Sequence, residues 1–146
     1  MLRAIGAVLA GYAVMFVLVF LTFSGLYLTF GADGAFELGT YDVSTLWLAS
    51  STVLNIVAAL AGGLTCALIA RGGKAPVALA LFVLALGLIM AIPVLQAPAA
   101  SEPRTAAVPN MEAMMKARTP AWVAILTPVI GAVGVLAGAA LRRNDA

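Results

Sequence analysis

The chain has 146 residues, of which 64% are hydrophobic and 10% charged, and its formal net charge is +2. Soluble domains carry about 25% charged residues, so this composition excludes an ordinary soluble protein. The chain has no histidine and a single cysteine. This excludes histidine-ligated haem, zinc or copper, histidine acid–base catalysis, an internal disulfide and a paired-cysteine redox site. We therefore expect no cofactor, no metal, no catalytic residue and no nucleic-acid partner.

Four apolar runs reach the roughly 20 residues that a helix needs to cross the hydrocarbon core of a bilayer. They cover residues 4–30, 46–70, 75–95 and 120–141, and none contains an acidic or basic side chain. The sequence predicts an all-α integral membrane protein whose whole chain, 1–146, is a single domain. Its four transmembrane helices form an antiparallel bundle, and a short amphipathic helix lies in the outer loop 96–119 between the third and fourth spans.

The distribution of cations between the loops predicts the orientation. One side holds both termini and the turn between the second and third spans, with Arg3, Arg71, Lys74, Arg142 and Arg143. The other side holds Arg104, Lys116 and Arg118. We expect both termini to be cytoplasmic, and the high alanine, glycine and valine content favours a bacterial inner membrane.

The first two spans carry small residues on one helix face, which lets neighbouring backbones approach closely. On the first span this face includes Gly11 and Thr22. On the second span the spacing places six residues in one seam: Thr45, Thr52, Asn55, Ala59, Gly62 and Cys66. We expect the second helix at the centre of the bundle. The interpretation of Cys66 is a small buried hydrophobe, with palmitoylation or redox sensing as alternatives.

Asn55 is the most polar side chain inside any predicted span. An amide exposed to hydrocarbon would leave its donors and acceptor unpaired, so we expect it to face the bundle interior. Residue counting places Thr22 and Pro128 at a similar depth. The sequence predicts a hydrogen bond from Asn55 to the Thr22 hydroxyl or to a carbonyl freed by Pro128, such as that of Ala124.

Aromatic residues mark the outer ends of the first two spans and of the fourth. Tyr27, Tyr41, Trp47 and Trp122 are predicted to anchor the helices at the membrane interface, with ligand stacking as the alternative. The third span contains one glycine among bulky residues, so we expect it to face lipid more than the others.

The outer loop changes character at Asn110, which is a good helix N-cap. Glu112 then lies in the first turn of a predicted helix, and basic residues follow near its end. The residues for a possible partner or lipid contact are Met111, Met114, Met115, Lys116 and Arg118. Three interpretations remain open: a helix lying in the headgroup region, a docking site for another protein, and a site where Glu112 acts, although no second catalytic group accompanies it.

The prolines and glycines of the last two spans complete the pattern. Pro93 and Pro128 are expected to kink the outer halves of their helices, and a shallow cavity with Gln96 at its rim is one outcome. The fourth span carries Gly131, Gly134 and Gly138, the last two as a GxxxG pair. This pair serves either packing within the chain or a dimer interface.

We infer a non-enzymatic small membrane protein that acts as an accessory or structural subunit, or as a partner-binding module, of a membrane complex. The alternative is a small oligomeric transporter or a protein that binds a lipid or another lipophile. The lipid bilayer is the expected partner in both cases, together with another membrane protein or further copies of the chain.

Overall fold

The computed structural model describes residues 2–71, 73–96, 103 and 109–144. Its elements are α1 (Leu2–Ala35), α2 (Thr45–Ala70), α3 (Ala75–Gln96), α4 (Asn110–Lys116) and α5 (Ala121–Asn144). Among the described residues, α1, α2, α3 and α5 are long and apolar enough to cross a membrane, and no strand is present. The prediction of an all-helical protein with four such helices is confirmed, although α1 and α5 extend beyond the predicted spans.

Local chemistry accounts for several helix boundaries. Ser44 precedes α2 in an extended conformation, and its hydroxyl accepts a hydrogen bond of 3.1 Å from the Trp47 amide, which makes it the N-cap. At the other end of α2, Arg71 adopts a left-handed conformation, with φ 54° and ψ 36°, and its amide donates to the Ala67 carbonyl. Helix α1 is interrupted at Gly31, whose φ of 66° favours glycine.

Helix α2 packs against both α1 and α5, whereas α3 packs mainly against α5. Glycines make these approaches close. A Cβ placed on Gly11 would fall 2.7 Å from the Gly62 carbonyl oxygen, and one on Gly63 would fall against the Val135 backbone. The bundle therefore has α2 and α5 at its centre, with α1 and α3 on the two sides.

The chain has two ends that differ in structure. We call one of them the terminal end, and it holds the first turns of α1 and α3 and the last turns of α2 and α5. An apolar core lies beside it. That core consists of Ala7, Ala59, Cys66, Ala75, Leu79, Ala80 and Val135. The loop end, which holds residues 32–44 and 109–120, has a second buried cluster.

The third span was predicted to be the most lipid-facing, but α1 is slightly less buried within the chain than α3. In the most apolar 18-residue stretch of each helix, 11% of α1 is buried against 17% of α3. The buried residues of α3 are Ala75, Leu79, Ala80 and Ala91. Gly87 also lies against the Pro128 ring, whose Cγ is 2.6 Å from the position of a Cβ on Gly87. On α1, by contrast, no residue between Gly11 and Tyr27 is buried.

Candidate functional site

Residues 32–44 and 109–120 form a folded layer at the loop end, which we call the loop cap. Its two segments are joined through Arg118, whose amide donates to the Tyr41 carbonyl at 2.9 Å. The Arg118 carbonyl in turn accepts from the Val43 amide at 3.1 Å. These bonds form a parallel bridge between Asp42 and Arg118, and they place the segment that leads into α5 directly beside the α1–α2 connection.

The α1–α2 connection is itself a small hairpin. The Glu37 amide donates to the Asp42 carbonyl at 2.8 Å, and the Thr40 amide donates to the Glu37 carbonyl at 3.2 Å. Gly39 takes the third position of this turn with φ 76°, as a type II turn requires. Leu38 stands at the tip and is 87% exposed.

Ser44 ties the end of α1 to the start of α2. Its amide donates to the Ala35 carbonyl at 2.9 Å, and its hydroxyl donates to the Gly34 carbonyl at 2.6 Å. The same hydroxyl accepts from the Trp47 amide, so one side chain caps α2 and fixes the preceding turn.

Aromatic side chains pack beneath this hairpin, mostly edge to face. Ring centroids are 5.7 Å apart for Phe36 and Tyr41, 6.5 Å for Tyr27 and Phe36, and 6.4 Å for Tyr27 and Trp47. Phe23 extends the series, with its centroid 5.6 Å from that of Trp47. Tyr27 and Tyr41 are buried, so the prediction that they are interfacial anchors is wrong. They form the core of the loop cap.

Helix α4 presents apolar side chains outward. Met111 is 61% exposed and Met115 is 80% exposed, and their spacing of four places them on one face. The side chain of Met114 lies outside the described part of the structure.

Lys116 links α4 to the α1–α2 connection within the loop cap. The Lys116 ammonium is 3.2 Å from the Glu112 carboxylate and 5.3 Å from the centroid of the Tyr41 ring. A cation over an aromatic face is attracted by the ring quadrupole. Glu112 is therefore engaged in an ion pair, and the described residues contain no cluster of three carboxylate or cysteine groups able to hold a metal.

Half of the seam predicted for the second span is buried, and the half nearer the start of α2 is not: Thr45 is exposed and Thr52 is partly exposed. Ala59, Gly62 and Cys66 are buried, whereas Asn55 is partly exposed. Gly62 lies against Gly11 and Met15 of α1, and Cys66 belongs to the apolar core of the terminal end.

The glycines of the fourth span face other helices of the same chain. A Cβ on Gly134 would fall 2.7 Å from that of Ala59, and one on Gly138 would fall against the Leu60 carbonyl. Gly131 faces Val83 of α3, at 3.2 Å by the same measure. The GxxxG face thus packs on α2 of the same chain.

The predicted hydrogen bond between Asn55 and Thr22 is not formed. The Thr22 hydroxyl donates to the Leu18 carbonyl of its own helix at 2.6 Å. Within the described residues, the side chain of Asn55 has no hydrogen-bond partner, and in particular it does not bond to the Ala124 carbonyl. The Asn55 side chain is therefore a polar group within an apolar helix that the described chain does not satisfy.

Comparisons of the chain with known protein families, with characterised proteins and with solved structures found no match.

Proposed function

We propose that the chain is a non-enzymatic membrane protein that binds another membrane protein through its loop cap, as an accessory or structural subunit of a complex. In this proposal the four long helices cross a bacterial inner membrane as an antiparallel bundle. The termini lie in the cytoplasm, and the loop cap faces the opposite side.

The charges of the described residues support this orientation. Arg3, Arg71, Lys74 and Arg142 lie at the terminal end, whereas the described loop end holds two cations, Lys116 and Arg118. The four described carboxylates, those of Asp33, Glu37, Asp42 and Glu112, also lie at the loop end. Short loops rich in lysine and arginine remain in the cytoplasm. The helix contacts fit the same topology, because Gly11 near the start of α1 meets Gly62 near the end of α2.

The observation that carries the partner hypothesis is the construction of the loop cap. A simple tether between spans needs no internal structure, yet this cap has a hairpin, a backbone bridge and an aromatic core. Above that core it exposes Leu38, Met111 and Met115. Burying one such side chain contributes about 1.5 to 3 kcal/mol, and methionine adapts its shape to a partner.

Site-specific photo-crosslinking tests this proposal. A photoreactive amino acid at Met115 should crosslink the full-length chain to one defined protein in native membranes, identified by mass spectrometry. The same amino acid at Val17, which is 52% exposed in the middle of α1, is the control that reports lipid contact. Lipid adducts alone at both positions would show that α4 lies in the headgroup region and would refute the docking proposal.

Matched variants separate the apolar contact from the charges. Met115→Asp places a charge on the exposed face of α4, and Glu112→Gln removes the partner of Lys116. For these variants the photoreactive amino acid is placed at Leu38. We expect Met115→Asp to abolish the protein crosslink from that position and Glu112→Gln to leave most of it. The reverse order would mean that Glu112 is the recognition group.

One observation favours the second candidate function, the binding of a lipophilic molecule. Asn55 has no partner among the described residues, and a ligand with a hydrogen-bonding group would satisfy it. The test compares Asn55→Ala with the unaltered chain in thermal unfolding and in the profile of co-purifying small molecules. Loss of a bound molecule with unchanged stability supports this function, and unchanged content with altered stability excludes it.

A further inference from the structure

Three arginines converge on the last turn of α2, although they come from three different segments of the chain. The Arg3 Nε donates to the Ile69 carbonyl at 2.8 Å. The Arg142 guanidinium donates to the Ala67 carbonyl, which also accepts from the Arg71 amide. The start of α1, the end of α5 and the turn after α2 are thereby brought to a single point.

The contacts of Arg3 and Arg142 position those two guanidinium groups without using up their donors, whereas Arg71 contacts α2 through its backbone amide and its side chain is exposed at the same helix end. A guanidinium has five N–H donors, and the bond of Arg3 to the carbonyl occupies one of them. Helix C-terminal carbonyls carry a partial negative charge of about half an electron, which holds the cations in place. That charge is smaller than the charge of the cations around it, so the end of α2 remains positive overall.

The positive charge at the terminal end is not neutralised by the described acidic residues. Arg71 and Lys74 add two exposed cations within one turn of chain. All described carboxylates are at the loop end, as noted above, while Glu102 and Asp145 lie outside the described residues. The terminal end is therefore a cationic cluster formed by Arg3, Arg71, Lys74 and Arg142.

The ends of membrane-spanning helices lie at the level of the lipid headgroups, where long cationic side chains extend. Basic clusters between transmembrane helices on the cytoplasmic side bind anionic lipid headgroups, and guanidinium matches the geometry of phosphate oxygens. We propose that this cationic cluster is a binding site for an anionic phospholipid, whose phosphate is held by Arg3, Arg71 and Arg142. This inference concerns the opposite end of the molecule from the loop cap and does not depend on a protein partner there.

Native mass spectrometry of the full-length chain tests the site, with phosphatidylglycerol and phosphatidylcholine offered in equal amounts. The unaltered protein should retain phosphatidylglycerol in preference to phosphatidylcholine. Arg71→Asn is the main variant, because asparagine tolerates the left-handed conformation of this residue and only the charge is lost. We expect affinity for phosphatidylglycerol to fall about fivefold, since each cation near an anionic membrane contributes about 1 kcal/mol.

Arg118→Gln is the matched control, because it removes the same charge from the loop end. It should leave phosphatidylglycerol retention unchanged, and a thermal unfolding scan should show both variants folded. Equal retention of the two lipids, or equal losses in Arg71→Asn and Arg118→Gln, would overturn the proposal. Binding of inorganic phosphate to the cluster with no preference for phosphatidylglycerol over phosphatidylcholine would assign it to a free anion and would also overturn the proposal. Arg3→Lys, which keeps the charge but loses the planar fork, should weaken binding less than Arg3→Gln.

Discussion

Replacement of Gly63 by alanine should force α2 and α5 apart. The added methyl group would point at the backbone of Val135, where its Cβ would fall 2.8 Å from the Val135 Cα and closer still to the carbonyl oxygen. Ordinary contacts of a Cβ begin at 3.4 Å. The obstacle is backbone on a rigid helix, so no side-chain rotation relieves the clash.

The magnitude follows from the required displacement. The Val135 Cα alone requires the two helices to separate by 0.6 Å, the difference between 3.4 Å and 2.8 Å, and the carbonyl oxygen, which lies closer, requires more. A gap of 0.5 to 1 Å forfeits about a quarter to a half of the dispersion energy of each contact that it opens. The contacts of Gly134 with Ala59 and of Gly138 with Leu60 lie in the same seam and open with it. We expect a loss of about 1 to 3 kcal/mol in the free energy of unfolding, the usual range for overpacking.

Unfolding of the purified chain in mixed micelles with increasing sodium dodecyl sulfate measures this loss. Gly25→Ala is the control, because no atom lies within 4 Å of a Cβ at that position in α1. The control should be neutral or more stable by up to about 1 kcal/mol, since alanine favours helix more than glycine does. Combining Gly63→Ala with Gly138→Ala should cost less than the sum of the two single losses, because the first substitution already opens the seam.

A Gly63→Ala chain as stable as Gly25→Ala would refute the reasoning. It would mean either that α2 and α5 do not approach this closely or that the seam yields without energetic cost.

Three further predictions use the loop cap and the turns. The first uses a chain whose native cysteine is replaced by alanine. A cysteine introduced at Leu38 or Met115 should be labelled from outside intact cells by an impermeant maleimide, and one at Gly73 should not. The opposite pattern would mean that the proposed orientation is inverted. Phe36→Ala should cost about 3 to 5 kcal/mol and make the cap sensitive to limited proteolysis, whereas Leu38→Ala should be nearly neutral. Ser44→Ala should lower the free energy of unfolding by about 1 kcal/mol in the same micelle assay, because it removes the N-cap of α2, and an unchanged value would show that the cap contributes nothing.

The spans were predictable because uninterrupted apolar length is a property of the sequence alone. Which helix packs against each face could not be predicted in the same way. Gly134 and Gly138 indicate a close helix contact, but the pair does not indicate whether the facing helix is α2 or belongs to a second copy of the chain. Only the three-dimensional arrangement shows Ala59 and Leu60 there.

The loop cap was missed for a related reason. The segment from Phe36 to Val43 carries turn signals, with glycine at the third position of its turn, that predict a hairpin. Its bridge to Arg118, however, joins segments far apart in sequence, and nothing local marks that pairing. The Asn55 prediction failed because a threonine hydroxyl on a helix has a nearer acceptor, the carbonyl four residues before it. Thr52 and Thr127 form the same bond as Thr22.

The central seam between α2 and α5 bears on how the protein is made. During synthesis α2 is complete well before α5 exists, because α3 and the following loop come between them in the chain. Until α5 arrives, Gly63 and Ala59 have no helix to pack on, and the Ala67 carbonyl lacks its contact with Arg142. The nascent bundle is therefore incomplete at its centre until the last helix is inserted. A chain stalled before residue 121 would present that open groove to any membrane protease or chaperone that recognises unpaired small-residue helices.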